Sequence, residues 1–326
     1  MRKIKWGVMG TAYIFERDTA EGMRQAENCQ LYAIAGRSME KALAFQQKYG
    51  FEKAYGSYEE LLADPQVEAV YIPLPNTMHL EWTVKALQAK KHVLCEKPLA
   101  PTAEQAAQMF AAARENGVWL MEAFAYQHSP FIAAVEQAVK SGVIGDVRYM
   151  ESALITSDYD LTNIRMRKET LGGCTYDLGV YCASLTQRIL GEPKTVKAVS
   201  SFSDEGVDMY TAVLMEYENG AKANFDCGMV LSTEKNSALD RFQIHGTLGS
   251  VQSVNFGFNC PGELSYRLKT FDGRDEIVTV PTPHNYRLEV EQLGKCITQG
   301  ETPAVTEVFS LAVARTIDRV LAAIGY

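Results

Sequence analysis

The chain has 326 residues, 47% of them hydrophobic and 22% charged, and a formal net charge of −8 at pH 7. That length fits two domains, with enough core to need no metal or disulfide staple. The acidic balance argues against nucleic acid or an anionic membrane as the main partner, and seven scattered cysteines without a C-x-x-C pair argue against a disulfide framework or a zinc site.

Met1 to Gly7 runs straight into a strand-like segment, so no signal peptide is expected. No apolar run is long enough to span a bilayer, so the expected compartment is the cytoplasm. Five short apolar runs follow in order: Ile4 to Met9, Leu31 to Ala35, Ala69 to Ile72, His92 to Cys95 and Trp119 to Ala123. Between them, Ser57-Tyr58-Glu59-Glu60 and Thr102-Ala103-Glu104-Gln105 read as capping boxes, in which a hydroxyl and an acid or amide satisfy orphan N–H groups. Gly50 and Gly117 stand where helices should end. This alternation of strand and helix predicts an α/β domain over residues 1–125, with a parallel sheet covered on both faces.

After residue 125 the rhythm changes to longer, alternating strands. Tyr210 to Tyr217, the turn Glu218-Asn219-Gly220 and the run Ala221 to Cys227 together predict a hairpin, because Asn-Gly supplies the positive φ angles that such turns require. Residues 126–326 read as an α+β domain with a large, mostly antiparallel sheet, closing in a helix from about Val308 to Ile324.

Gly7-Val8-Met9-Gly10-Thr11-Ala12-Tyr13-Ile14-Phe15 occupies the first strand-to-helix junction. A dinucleotide fold holds pyrophosphate there on peptide N–H groups and a helix dipole. Gly10 fills the first glycine position, but Ala12 stands at the second and Phe15 at the third, which implies looser packing of helix on strand. Taken alone, the segment is equally consistent with a plain tight turn. At the tip of the second strand, Arg37 and Ser38 replace the acid that usually binds a ribose 2′-hydroxyl, and Lys41 follows one turn later. A guanidinium and a hydroxyl suit a 2′-phosphate, hence NADP(H) over NAD(H). The alternative is a solvated Arg37 and a Ser38 that caps the next helix.

Two further segments carry chemistry. His92-Val93-Leu94-Cys95-Glu96-Lys97-Pro98 ends a parallel strand, where open α/β sheets bind ligands, and Lys97 could polarise a substrate oxygen. Leu171-Gly172-Gly173-Cys174-Thr175-Tyr176-Asp177-Leu178-Gly179-Val180-Tyr181 places Asp177 and Tyr181 four residues apart, on one face of an α-helix. Either residue could instead be structural, a salt-bridged aspartate or a buried phenol with a local partner.

With Pro75-Asn76-Thr77-Met78-His79, Met121-Glu122-Ala123-Phe124 and Asn163-Ile164-Arg165, these segments resemble the Gfo/Idh/MocA oxidoreductases over essentially the whole chain. Tyr181, where many members carry histidine, is similar to the branch of glucose–fructose oxidoreductase, dimeric dihydrodiol dehydrogenases and xylose dehydrogenases. The resemblance implies a Rossmann domain followed by an α+β domain whose open sheet forms a homodimer. It implies a cofactor site of Gly10, Thr11, Ala12, Tyr13, Ile14, Arg37, Ser38, Leu74, Pro75, Asn76, His79, Glu96 and Lys97, and no metal. It also implies catalysis by Lys97, Asp177 and Tyr181, with Tyr126 and Arg165 added to these three in contact with substrate. Relatives often carry arginine where this chain reads Ala125-Tyr126-Gln127-His128.

The expected activity is hydride transfer between NADP(H) and a sugar, polyol or vicinal diol, or the matching carbonyl compound. A free phenol, with a pKa of about 10, is a poor base at neutral pH. The Lys97 ammonium would favour its phenolate, so that Tyr181 exchanges the substrate's hydroxyl proton. Two other readings stand beside this one. A non-catalytic sugar-sensing regulator of the same fold would need neither Lys97 nor Tyr181. A glycosidase-like enzyme using tightly held NAD would favour an acid over Arg37.

Overall fold

A computed structural model describes residues 2–157, 159–231 and 238–326 of the protein. The first sheet is wholly parallel. Its strands are β1 (Ile4–Met9), β2 (Cys29–Ala35), β3 (Lys53–Tyr55), β4 (Ala69–Ile72), β5 (His92–Glu96) and β6 (Leu120–Ala123), in the order β3-β2-β1-β4-β5-β6. The order reverses between β1 and β4, so the carboxyl ends of these two strands flank the crevice where open α/β sheets take ligands. The short edge strand β3 carries no apolar run, and periodicity alone does not reveal it.

The helices of this part are α1 (Ala20–Gln25), α2 (Met39–Tyr49), α3 (Tyr58–Ala63), α4 (His79–Gln88) and α5 (Ala103–Asn116). Both halves of the Ser57 capping box form. At Thr102 the hydroxyl accepts from the Gln105 N–H, but Gln105 Oε1 finds no partner among the described residues, so this box is only half made. Gly50 and Gly117 end α2 and α5 in the left-handed conformation.

The second part opens with α6 (Pro130–Lys140), β7 (Val147–Ser157) and α7 (Val180–Leu190). The strands β8 (Thr195–Phe202), β9 (Asp208–Glu216), β10 (Lys222–Leu231), β11 (Ala238–Gly246), β12 (Gly249–Asn255), β13 (Gly262–Thr270) and β14 (Asp275–Thr282) follow. The sheet runs β14-β13-β12-β11-β7-β10-β9-β8, antiparallel throughout except where β7 and β10 pair in parallel. The β9–β10 hairpin turns at Gly220, φ 81°, with the Asn219 carboxamide accepting the Ala221 N–H at 3.0 Å. The chain closes with α8 (Asn285–Gln299) and α9 (Glu307–Ile324).

Two compact units result. The first runs to His128 and takes in Pro283–Ser310; the second is Ser129–Thr282 with Leu311–Tyr326. The single cut drawn in the sequence falls after residue 125 and does not foresee that α8 returns to the first unit. There α8 packs on α1, and a Cβ at Gly22 would stand 2.6 Å from Tyr286 Cβ, so the contact requires glycine. Among the described residues no helix is long and apolar enough to cross a membrane.

Candidate active site

In the first unit the site grows from the ends of β1, β2, β4 and β5. Gly10, φ 113°, donates its N–H to the Ala35 carbonyl at 2.8 Å and so ties the end of β1 to that of β2. A Cβ there would stand 3.0 Å from Leu74 Cδ2, which places the loop after β4 against the glycine loop. Thr11, Ala12 and Ile14 are half-buried, and Tyr13 is 69% exposed with the Arg17 guanidinium over its ring. Phe15 does not loosen the packing as the sequence suggests. It is fully buried against Phe45, Tyr49, Phe51 and Tyr71, and it begins a π-helical turn, Phe15–Thr19, rather than an ordinary α turn.

Beyond β2, Ser38 caps α2, its hydroxyl accepting the Lys41 N–H at 3.4 Å. Arg37 is exposed, and among the described residues no carboxylate pairs with it. Its charge opposes the effect of burial, which pushes the Tyr58 phenol up. That phenol oxygen lies 3.7 Å from where a Cβ on Gly10 would be, so the group on which the Arg37 charge acts adjoins the glycine loop. An accessible segment Thr11–Ile14 after Gly10 and a guanidinium that no carboxylate among the described residues neutralises fit a phosphorylated dinucleotide.

Pro75 and Asn76 are half-buried at the start of the loop after β4. His79 is fully buried, its ring nitrogens 2.9 Å from the Pro98 carbonyl oxygen and 2.8 Å from that of Leu74. It thereby ties the loops after β4 and β5 together, and burial pushes its pKa down. Glu96 accepts from the Tyr71 hydroxyl at 2.6 Å, which in turn lies 2.9 Å from Thr19 Oγ1. Lys97 is half-buried, its backbone N–H donates to Glu96 Oε2 at 3.3 Å, and its charge acts on both His79 and Glu122. Glu122 is 3% exposed, and its Oε1 accepts the Leu99 N–H at 2.9 Å. The Ser310 hydroxyl acts on it electrostatically from outside hydrogen-bond geometry. Burial pushes the Glu122 carboxyl up to about 7. Tyr126 is fully buried, its hydroxyl accepting from Gln127 at 2.6 Å.

In the second unit Gly172 and Gly173 let the loop before them fold back closely. A Cβ on Gly172 would stand 2.3 Å from the Arg165 carbonyl oxygen, and Gly173 takes φ 97° against Asp208. Arg165 is thus held over Asp177, with Nε donating to Oδ2 at 2.7 Å, while the ring of Tyr159 lies 5.3 Å from the guanidinium carbon. The segment Thr175–Gly179 winds as a π-helix before α7 begins. A π turn holds more residues than an α turn, so the four-residue spacing no longer stacks Asp177 directly under Tyr181. Each has its own partner: Asp177 has Arg165, and the Tyr181 oxygen accepts from Asn259 Nδ2 at 3.0 Å. No motif marks Asn259, and only the Gly257-Phe258-Asn259-Cys260-Pro261 composition signals a turn there.

Residues 4–124 match the model of an oxidoreductase family with an NAD-binding Rossmann fold, and residues 132–252 match the Gfo/Idh/MocA C-terminal domain. The chain belongs to the Gfo/Idh/MocA oxidoreductase family. It is 34% identical over 322 residues to D-xylose 1-dehydrogenase (NADP(+)) 2 of Haloferax volcanii, covering 97% of this chain and 95% of that one. It is 30% identical over 336 residues to trans-1,2-dihydrobenzene-1,2-diol dehydrogenase of Xenopus laevis, covering 98% of each. Among solved structures, a 3-ketoreductase from Actinomadura kijaniata in complex with NADP and TDP-benzene superposes with a TM-score of 0.91 at 29% identity, over 99% of this chain and 98% of that one. As a Gfo/Idh/MocA protein the chain is an NAD(P)-dependent dehydrogenase or reductase acting on CH–OH groups. Among the described residues no group of three or more His, Cys, Asp or Glu is placed to hold a metal ion.

Proposed function

We propose that the protein is an NADP(H)-preferring dehydrogenase or reductase of a sugar, polyol or vicinal diol, with Tyr181 as the proton-transfer group and Lys97 assisting it. The observation that carries the reading is Lys97 at the carboxyl end of β5, where its ammonium already acts on His79 and Glu122. The names of the relatives support the substrate class, and Arg37 at the tip of β2, with no carboxylate partner among the described residues, supports the 2′-phosphate.

The nicotinamide, when bound, supplies or accepts the hydride. This chain's residues handle charge and proton. Gly10, Thr11, Ala12, Tyr13 and Ile14 would hold the pyrophosphate, Arg37 and Ser38 the 2′-phosphate, and Leu74, Pro75, Asn76, His79 and Glu96 the remainder. In oxidation the Tyr181 phenolate takes the hydroxyl proton and in reduction the phenol returns it, while in both directions the Lys97 ammonium stabilises the charge on the reacting oxygen. Asp177, paired with Arg165, would orient substrate, and Tyr126 would contribute to the substrate side of the site.

We also propose a homodimer through the outer face of the second sheet. Strand register puts Val199, Leu214, Leu239 and Ile277 on that one face, and all four are exposed.

The test of the activity is a panel of aldoses, ketoses, polyols and diols followed by absorbance of the reduced cofactor, with Tyr181→Phe beside the wild type. The variant loses one oxygen and almost no volume, so its melting temperature should hold while turnover falls by roughly 10²–10⁴. Full turnover in the folded variant would remove Tyr181 from the chemistry.

A further inference from the structure

Tyr181 is held by a part of the chain that lies 78 residues away. Between β12 and β13 the backbone makes the excursion Phe256-Gly257-Phe258-Asn259-Cys260-Pro261, from which the Asn259 carboxamide donates to the phenol oxygen at 3.0 Å. The excursion is well anchored. Asp240 on β11 accepts the Phe258 N–H at 3.2 Å, and the Cys260 N–H returns to the Gly257 carbonyl at 3.2 Å. A Cβ at Gly257 would stand 2.5 Å from Cys260 Sγ, so a larger residue there would displace that side chain. The rings of Phe256 and Phe258 are 5.0 Å apart, Phe256 packs on Phe131 and Phe242, and the Phe258 ring lies 5.4 Å from that of Tyr181.

An oxygen that accepts from an amide keeps its own proton for a third group. The amide N–H also bonds more strongly to a phenolate than to a phenol, so it favours loss of that proton. We propose that Asn259 is a positioning residue for the reaction, fixing the direction of the Tyr181 hydroxyl and easing formation of its phenolate. The proposal rests on the assignment of Tyr181 as the proton-transfer group. Charged groups on neighbouring elements of this unit include Asp177 with Arg165 on the preceding turn and loop, and Asp226 on β10 and Asp240 on β11, which act on Cys182, the residue next to Tyr181. Substitution at 259 leaves all four in place.

The experiment uses the full chain labelled with tyrosine carrying ¹³C at the ζ carbon, the Tyr181 resonance being assigned by its absence from Tyr181→Phe. Asn259→Ala should raise the titration midpoint of this phenol by about one pH unit, the size of one charge-assisted hydrogen bond. Asn259→Asp, equal in shape but with a carboxylate in place of the N–H donor, should raise it further, and it gives the same reading should the alanine variant not fold. The pH dependence of kcat/KM for oxidation should move with the midpoint. An unmoved midpoint overturns the proposal. So does a lowered one, which would mean that the carboxamide is turned over and its oxygen holds the phenol proton. A raised midpoint with an unmoved rate profile would uphold the hydrogen bond's effect on the phenol but remove Tyr181 from proton transfer, and with it the catalytic meaning of Asn259.

Discussion

Glu122→Gln tests how the first unit tolerates a buried carboxyl within the electrostatic reach of Lys97. Oε1 accepts the Leu99 N–H, and Oε2 has no hydrogen-bond partner among the described residues, so the site accommodates a neutral acid better than an anion. Burial raises the carboxyl from its ordinary 4.5 to about 7; the nearby Glu96 adds to the rise, while Ser310, Leu99 and Lys97 oppose it. The folded state therefore holds this proton more tightly than the unfolded state does. The stability it contributes is fully present below about pH 4.5 and is lost as the pH climbs to about 7. At roughly 1.4 kcal/mol for each tenfold change in proton affinity, the loss is about 3 kcal/mol above pH 7. Glutamine keeps the acceptor for Leu99 and cannot ionise. The variant should match the wild type at low pH and exceed it by about 3 kcal/mol at pH 8. Urea unfolding followed by tryptophan fluorescence reads this directly, because Trp6, Trp82 and Trp119 all lie in the first unit. If the gap between variant and wild type does not widen between pH 5 and pH 8, Glu122 is already ionised in the folded protein and the reasoning fails.

Arg37→Ala should weaken NADPH binding by roughly 10- to 100-fold and leave NADH binding unchanged, as expected for loss of one charge-assisted contact; equal wild-type affinities for the two cofactors at low salt would refute the 2′-phosphate role. Lys97→Ala should remain folded and bind NADPH, as read by fluorescence titration, while turnover falls by at least about 10², the scale of a lost electrostatic stabiliser; retention of most of the activity would remove Lys97 from catalysis. Leu214→Glu places a charge on the outer face of the second sheet and should convert a dimer to a monomer in sedimentation velocity, whereas a wild type that already sediments as a monomer would discard that interface.

Much of the architecture was legible because it rests on local rules. Apolar runs bounded by turn residues located five of the six parallel strands, Gly50 and Gly117 marked helix ends, and Asn219-Gly220 fixed a hairpin through the positive φ that glycine takes without strain. Arg37 at the tip of β2 and Lys97 at the end of β5 were readable for the same reason, since a residue at the end of a parallel strand has a place set by the strand itself. Tertiary packing decided the rest. Phe15, a departure from the glycine pattern, became the centre of an aromatic cluster, and the π turns at Phe15–Thr19 and Thr175–Gly179 replaced the α spacing assumed from sequence. The burial of Glu122 and Tyr126, the return of α8 to the first unit and the reach of Asn259 to Tyr181 depend on neighbours far along the chain. Hydrophobic period and turn chemistry describe a residue's own few neighbours. Burial, and the proton affinities and hydrogen bonds that follow from it, are set by which distant segments the folded chain brings against that residue.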